Sequence, residues 1–139
     1  MNSAKKVVDK MMDGDAFSQW LGIEVLEITT GFCKLQMKVR DEMINGFDIA
    51  HGGIAYSLAD SCLAFAANSH GVQALSIETS ISHTQKVKSD DTLTATAKEM
   101  NKSTKTGLYY ITITNQNNIE IAHFKGTVYR TKKEWFPEN

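Results

Sequence analysis

The chain has 139 residues, a net charge of −1 and two cysteines, with 42% apolar and 22% charged residues. That is the size and make-up of a single globular domain, 1–139, able to bury a core without staples. The near-neutral balance argues against nucleic acid as a partner, no stretch approaches the roughly 18 apolar residues of a membrane span, and Cys33 and Cys62, without a CxxC, favour a reducing, cytoplasmic setting.

The N-terminus, MNSAKKVVDKMMDGDAF, has basic residues but no apolar centre, so it does not read as a signal peptide. Val7, Val8, Met11 and Met12 recur at helical spacing, and Phe17 and Trp20 repeat the pattern after Gly14, so the first 20 residues read as short helix. A strand is expected over 22–29, with Ile23, Val25 and either Leu26 or Ile28 buried. Gly31 turns the chain. Over 32–40 the residues alternate: Cys33, Leu35, Met37 and Val39 on one face, Lys34, Gln36, Lys38 and Arg40 on the other. That is a half-exposed antiparallel strand, hairpinned to the one before it.

Residues 41–52 are loop, punctuated by Asn45–Gly46 and Gly52–Gly53. Ile54 to Ser69 is Ala-rich and apolar nearly all round, which predicts a buried helix ended near Asn68–Gly71. The segments 74–87, 91–100, 107–116 and 119–131 are rich in Thr, Ile, Val and Tyr and read as strands. Lys102–Gly107 and Asn117–Asn118 are turn signals, and the single Pro137 lies outside every element. The expected fold is α+β: a six-stranded antiparallel sheet curled around one central helix. One helix cannot cover the whole sheet, so the remaining apolar surface predicts an oligomer.

Asp60 is the unusual residue, a lone carboxylate inside that apolar run. Glycines at a helix start leave backbone N–H groups free to face a ligand, and the helix end is electropositive, so an oxyanion is stabilised there. Asp60 lies eight residues past Gly52, roughly 12 Å along a helix axis. One reacting carbon cannot touch both, since reacting groups approach to about 3–3.5 Å. Either the two features are unrelated, or a second copy supplies the carboxylate, with antiparallel central helices in a two-fold dimer. In that arrangement the positive helix end would help keep Asp60 ionised.

The set Asn45, His51-Gly52-Gly53 and Asp60, in the run MINGFDIAHGGIAYSLADSCLAFAANSHG, resembles the hotdog-fold acyl-CoA thioesterases of the phenylacetate-degradation type. DTLTATAKE and KTGLYYITITNQ are similar to that family's later strands, and the likeness spans residues 20–131. The resemblance implies hydrolysis of a small or aromatic acyl-CoA thioester, with coenzyme A as part of the substrate and no separate cofactor. It implies Asp60 as nucleophile or general base, and the Gly52 amide, helped by Gly53, polarising the carbonyl. It also implies Asn45 holding the carbonyl or the water, His51 shaping the loop, and a water-orienting hydroxyl at Ser76 or alternatively Thr79. A homodimer, assembled as a dimer of dimers into a homotetramer, is implied as well. Where relatives often carry an aromatic–Leu–Arg–Pro segment, this chain has His83-Thr84-Gln85-Lys86, which loosens inference about the acyl group and the coenzyme contacts.

Plainer readings stand beside these. Asp60 could face solvent or pair with a lysine, Asn45–Gly46 is a common turn pair, and His51-Gly52-Gly53 could be a tight loop. Ser76 and Thr79 could simply fit the pleat. His70, His83 and His123 lack ligand spacing and read as surface or core residues, so no metal is expected. Cys62 reads as a packing residue, and no GxSxG elbow is present. Two rivals share the fold: a non-catalytic acyl-CoA sensor, and a hydratase or dehydratase, whose site would need a differently arranged His and acid.

Overall fold

In the computed structural model, which describes residues 3–137, two short helices come first, α1 (Ser3–Asp13) and α2 (Ala16–Leu21). Strands β1 (Glu24–Thr29) and β2 (Phe32–Lys38) follow, then a 3-10 turn (Asp41–Met43) and helix α3 (Gly52–Asn68). Strands β3 (Val72–His83), β4 (Thr92–Lys102), β5 (Thr106–Thr114) and β6 (Glu120–Glu134) complete the chain. All six strands form one antiparallel sheet in the order β1-β2-β4-β5-β6-β3. α3 touches every strand, which only a sheet wrapped around it permits.

The alternation in β2 places Cys33, Leu35 and Met37 in the core, against Leu58, Cys62 and Phe65 of α3. Each such large apolar side chain contributes about 1.5–3 kcal/mol when fully buried. Gly126 of β6 lets Leu63 settle directly on the strand, so helix and sheet meet closely there. Past Asn68 the chain turns back through Gly71 in the left-handed region (φ 96°). No described helix is long and apolar enough to cross a membrane.

Several boundaries and burial assignments differ from the sequence reading. Gly14 splits the N-terminal helix, and the Asp15 side chain caps α2 by accepting from the Ser18 N–H at 2.9 Å. α2 is short and turns Ser18 and Leu21 inward. Phe17 and Trp20, which continue the helical spacing of apolar residues, are 55% and 48% exposed and stack on each other, with the Arg40 guanidinium over the indole. Val25 and Leu26 are exposed as well, because β1 is an edge strand with a bulge between Val25 and Glu27. Of the expected set, Ile23 is buried and Ile28 half-buried. β3 ends at His83 rather than at residue 87: Thr84 and Gln85 both donate to the Ile121 carbonyl as the chain leaves the sheet.

β3 is the other edge. Leu75 and Ile77 lie there 67% and 63% exposed, beside a bulge between Ser76 and Glu78. An unpaired edge with large apolar side chains is a surface that ordinarily finds a partner.

Candidate active site

The loop before α3 is shaped by two side chains. Asn45 accepts through Oδ1 from the Phe47 N–H at 2.8 Å and, at the limit, from Ile49 at 3.4 Å. This turn uses the amide oxygen, and no described group takes up the Asn45 NH2. His51 is the N-cap of α3, its Nδ1 accepting from the Gly53 N–H at 2.9 Å. The two glycines are therefore not equivalent. The Gly53 N–H is used by the cap, whereas the Gly52 N–H, at the first helical position, has no acceptor among the described residues. Asn45, His51, Gly52 and His83 line a cavity of about 140 Å³ at this electropositive helix end. A Cβ built on Gly52 would stand 3.4 Å from His83 Nε2, so the imidazole lies beside Gly52.

Asp60 opens on a second, larger cavity of about 320 Å³, which it shares with Ser76. The carboxylate is half-buried and has no hydrogen-bond or ion-pair partner among the described residues. Burial, and then the negative charge of Asp15, push its pKa above the usual carboxylate value. Asp15 is fixed by Ser18, whose hydroxyl donates to its carboxylate at 2.6 Å and shares a hydrogen bond of 2.8 Å with Ser61, the neighbour of Asp60. Ser76 is exposed on β3, and its hydroxyl has no partner among the described residues. Thr79 is placed differently, because its Oγ1 is bonded to the Tyr56 hydroxyl at 2.6 Å.

The expected residues thus fall into two groups on one chain. Asn45, His51 and Gly52 gather at the start of α3, and Asp60 with Ser76 lies two turns further on. Two further residues join these groups: His83, which by its sequence context reads as a surface or core residue, and Asp15, which no motif marks. No local pattern marks either one: His83 reaches Gly52 through the pairing of β3 with β6, and Asp15 reaches Asp60 by the packing of α2 on α3. Among the described residues no three of His, Cys, Asp and Glu gather to hold a metal ion. Chemically, one group offers a free N–H donor at a helix start, and the other a half-buried base with a hydroxyl beside it.

Residues 47–122 match the model of the thioesterase superfamily. The chain is 40% identical over 133 residues to an Archaeoglobus fulgidus protein placed among the esterases by name only, covering 96% of this chain and 86% of that one. It is 38% identical over 120 residues to the acyl-coenzyme A thioesterase PaaI of Escherichia coli, covering 86% of each. The solved structure of that Escherichia coli protein superposes with a TM-score of 0.93 at 35% identity, covering 95% of this chain and 96% of that one. A hypothetical thioesterase of Streptococcus pneumoniae, solved with coenzyme A, superposes with a TM-score of 0.84 at 25% identity, over 90% of this chain and 98% of that one.

Proposed function

The chain belongs to the thioesterase superfamily, and on that premise we propose that it hydrolyses an acyl-CoA thioester to the free acid and coenzyme A. The carrying observation is the pair of unpartnered groups on α3, the Gly52 N–H and the Asp60 carboxylate, each opening on its own cavity. The eight-residue separation is about 12 Å of helix, so the two act together only when a second copy brings its α3 alongside, antiparallel. The exposed edge of β3, with Leu75 and Ile77, supports a homodimer with continuous pairing. Apolar residues left on the outside of the sheet, such as Tyr110 and Tyr129, support a dimer of dimers, a homotetramer.

In such a site the thioester carbonyl oxygen accepts from the Gly52 N–H of one copy and from the Asn45 amide. Asp60 of the other copy takes a proton from water, and Ser76 orients that water. Hydroxide adds to the carbonyl carbon, the tetrahedral oxyanion is held at the helix end, and the C–S bond breaks as the coenzyme A thiolate leaves and takes up a proton. His51 keeps the Gly53 N–H occupied so that one donor is presented. Lys86, on the wall of the Gly52 cavity, is a cation where a phosphate-bearing substrate would enter. A small or aromatic acyl group suits the size of the Asp60 cavity. Both cysteines are buried free thiols, in keeping with a reducing, cytoplasmic setting.

The test is thiol release from a panel of acyl-CoAs by the wild-type protein. Turnover with at least one of them is expected. Coenzyme A binding without turnover would make the protein a sensor, and water addition to an enoyl thioester would make it a hydratase.

A further inference from the structure

We infer that Trp135 is the end-stop of the acyl pocket and sets the longest acyl chain the protein accepts. The inference rests on the reading above, in which the Asp60 cavity receives the acyl group. That cavity starts at Asp60 and Ser76 and runs along α3 past Leu63 and Ala64 to Asn68 and Trp135. Asn68 is eight residues beyond Asp60, so the run is about 12 Å long.

The far end is built rigidly. Asn68 is 2% exposed, and its side chain is fully used. Its Nδ2 donates to the carbonyls of Ala64 at 2.8 Å and Ala74 at 3.0 Å. Its Oδ1 accepts from the Ala74 N–H at 2.9 Å and from Trp135 Nε1 at 2.8 Å. The indole therefore covers a buried amide and turns it into an apolar wall. The main chain of Trp135 is tied down as well, its N–H donating to the Gly71 carbonyl at 2.9 Å and its carbonyl accepting from Lys10 Nζ at 3.4 Å. Lys6 and Lys10 then sit over the ring of Phe136, at 4.1 and 4.9 Å. Facing this fixed wall is Met11, whose thioether adapts its shape. Trp135 lies in the C-terminal segment, outside residues 47–122 that match the family model.

The experiment measures kcat/KM by thiol release on straight-chain acyl-CoAs from acetyl to lauroyl, for wild type, Trp135→Ala and Ala64→Val. Wild type should show a sharp fall beyond one chain length. Trp135→Ala should raise the ratio of long-chain to short-chain kcat/KM by about ten-fold or more, and Ala64→Val should lower it, since each methylene in an apolar pocket is worth at least about ten-fold. Melting curves report whether Trp135→Ala is folded; if it is not, Ala64→Val alone decides. A wild type without a cut-off, or a folded variant whose length profile coincides with wild type, overturns the inference while leaving the hydrolase reading intact. A wild type that releases thiol from an aromatic acyl-CoA and from none of the straight-chain ones overturns the end-stop alone, whereas release from no acyl-CoA of either kind overturns that reading, and the end-stop falls with it.

Discussion

Leu63 lies over Gly126 so closely that a Cβ added to the glycine would stand 2.5 Å from Leu63 Cδ2. This contact seats the helix that carries Asp60 on the strand next to β3. Gly126→Ala should therefore destabilise the fold by about 1–3 kcal/mol, the usual cost of overpacking a core. Thermal melting checks it, and an unchanged Tm would mean that α3 shifts without cost.

Gly52→Pro removes the free N–H and adds ring carbons in its place, the Cβ in contact with His83 Nε2 at 3.4 Å. Gly52 is the first helical residue, where proline is well tolerated, and His51 at φ −57°, ψ 137° already has the backbone a residue before proline prefers. kcat should fall by about 10²–10³-fold, the scale of one lost oxyanion donor, with Tm nearly unchanged. Wild-type kcat in this variant would remove the Gly52 amide from the mechanism.

Asp60→Asn should lower kcat by about 10²-fold or more while the protein stays folded. The same substitution should raise Tm at neutral pH. The folded pKa of Asp60 is raised by burial and by Asp15, so the folded state binds its proton more tightly than the unfolded chain. Stability from this group is present at low pH and lost as pH rises through the folded pKa. The Tm advantage of the variant should thus shrink on acidification. Asp15→Asn should move the acid limb of the kcat/KM profile to lower pH, because removing a neighbouring negative charge makes Asp60 easier to ionise.

Ser76 and Thr79 should separate by type of effect. Ser76→Ala should lower kcat without a change in melting, since no described group bonds its hydroxyl. Thr79→Val should lower stability by about 1 kcal/mol, because it leaves the half-buried Tyr56 hydroxyl without its 2.6 Å partner. The reverse pattern in kinetics and melting would exchange their roles.

Subunit mixing tests whether each site is shared. Co-refolded Asp60→Asn and Gly52→Pro chains, each nearly inactive alone, should regain about a quarter of wild-type activity, because half the dimers are mixed and each mixed two-fold dimer has one intact site. No recovery in a mixture shown to exchange subunits would rule out a site built from two chains.

Local burial signals in the sequence were enough to place the six strands and the central helix, though not the break at Gly14 or the end of β3, and to single out part of the proposed site. The alternation over 32–40 and the run from Ile54 to Ser69 that is apolar nearly all round record which side chains leave water, and burial is a property each segment carries in its own residues. The same holds for a glycine pair just before an apolar helix, and for a carboxylate inside it. Tertiary structure alone decided the strand order, which leaves β3 at an edge with Leu75 and Ile77 exposed. It also set His83 against Gly52, gave the Gly53 N–H to His51 and the Thr79 hydroxyl to Tyr56, and brought Trp135 from the far end of the chain to Asn68. Those pairings depend on which segments pack together over long stretches of chain, and no periodicity within a single segment encodes them.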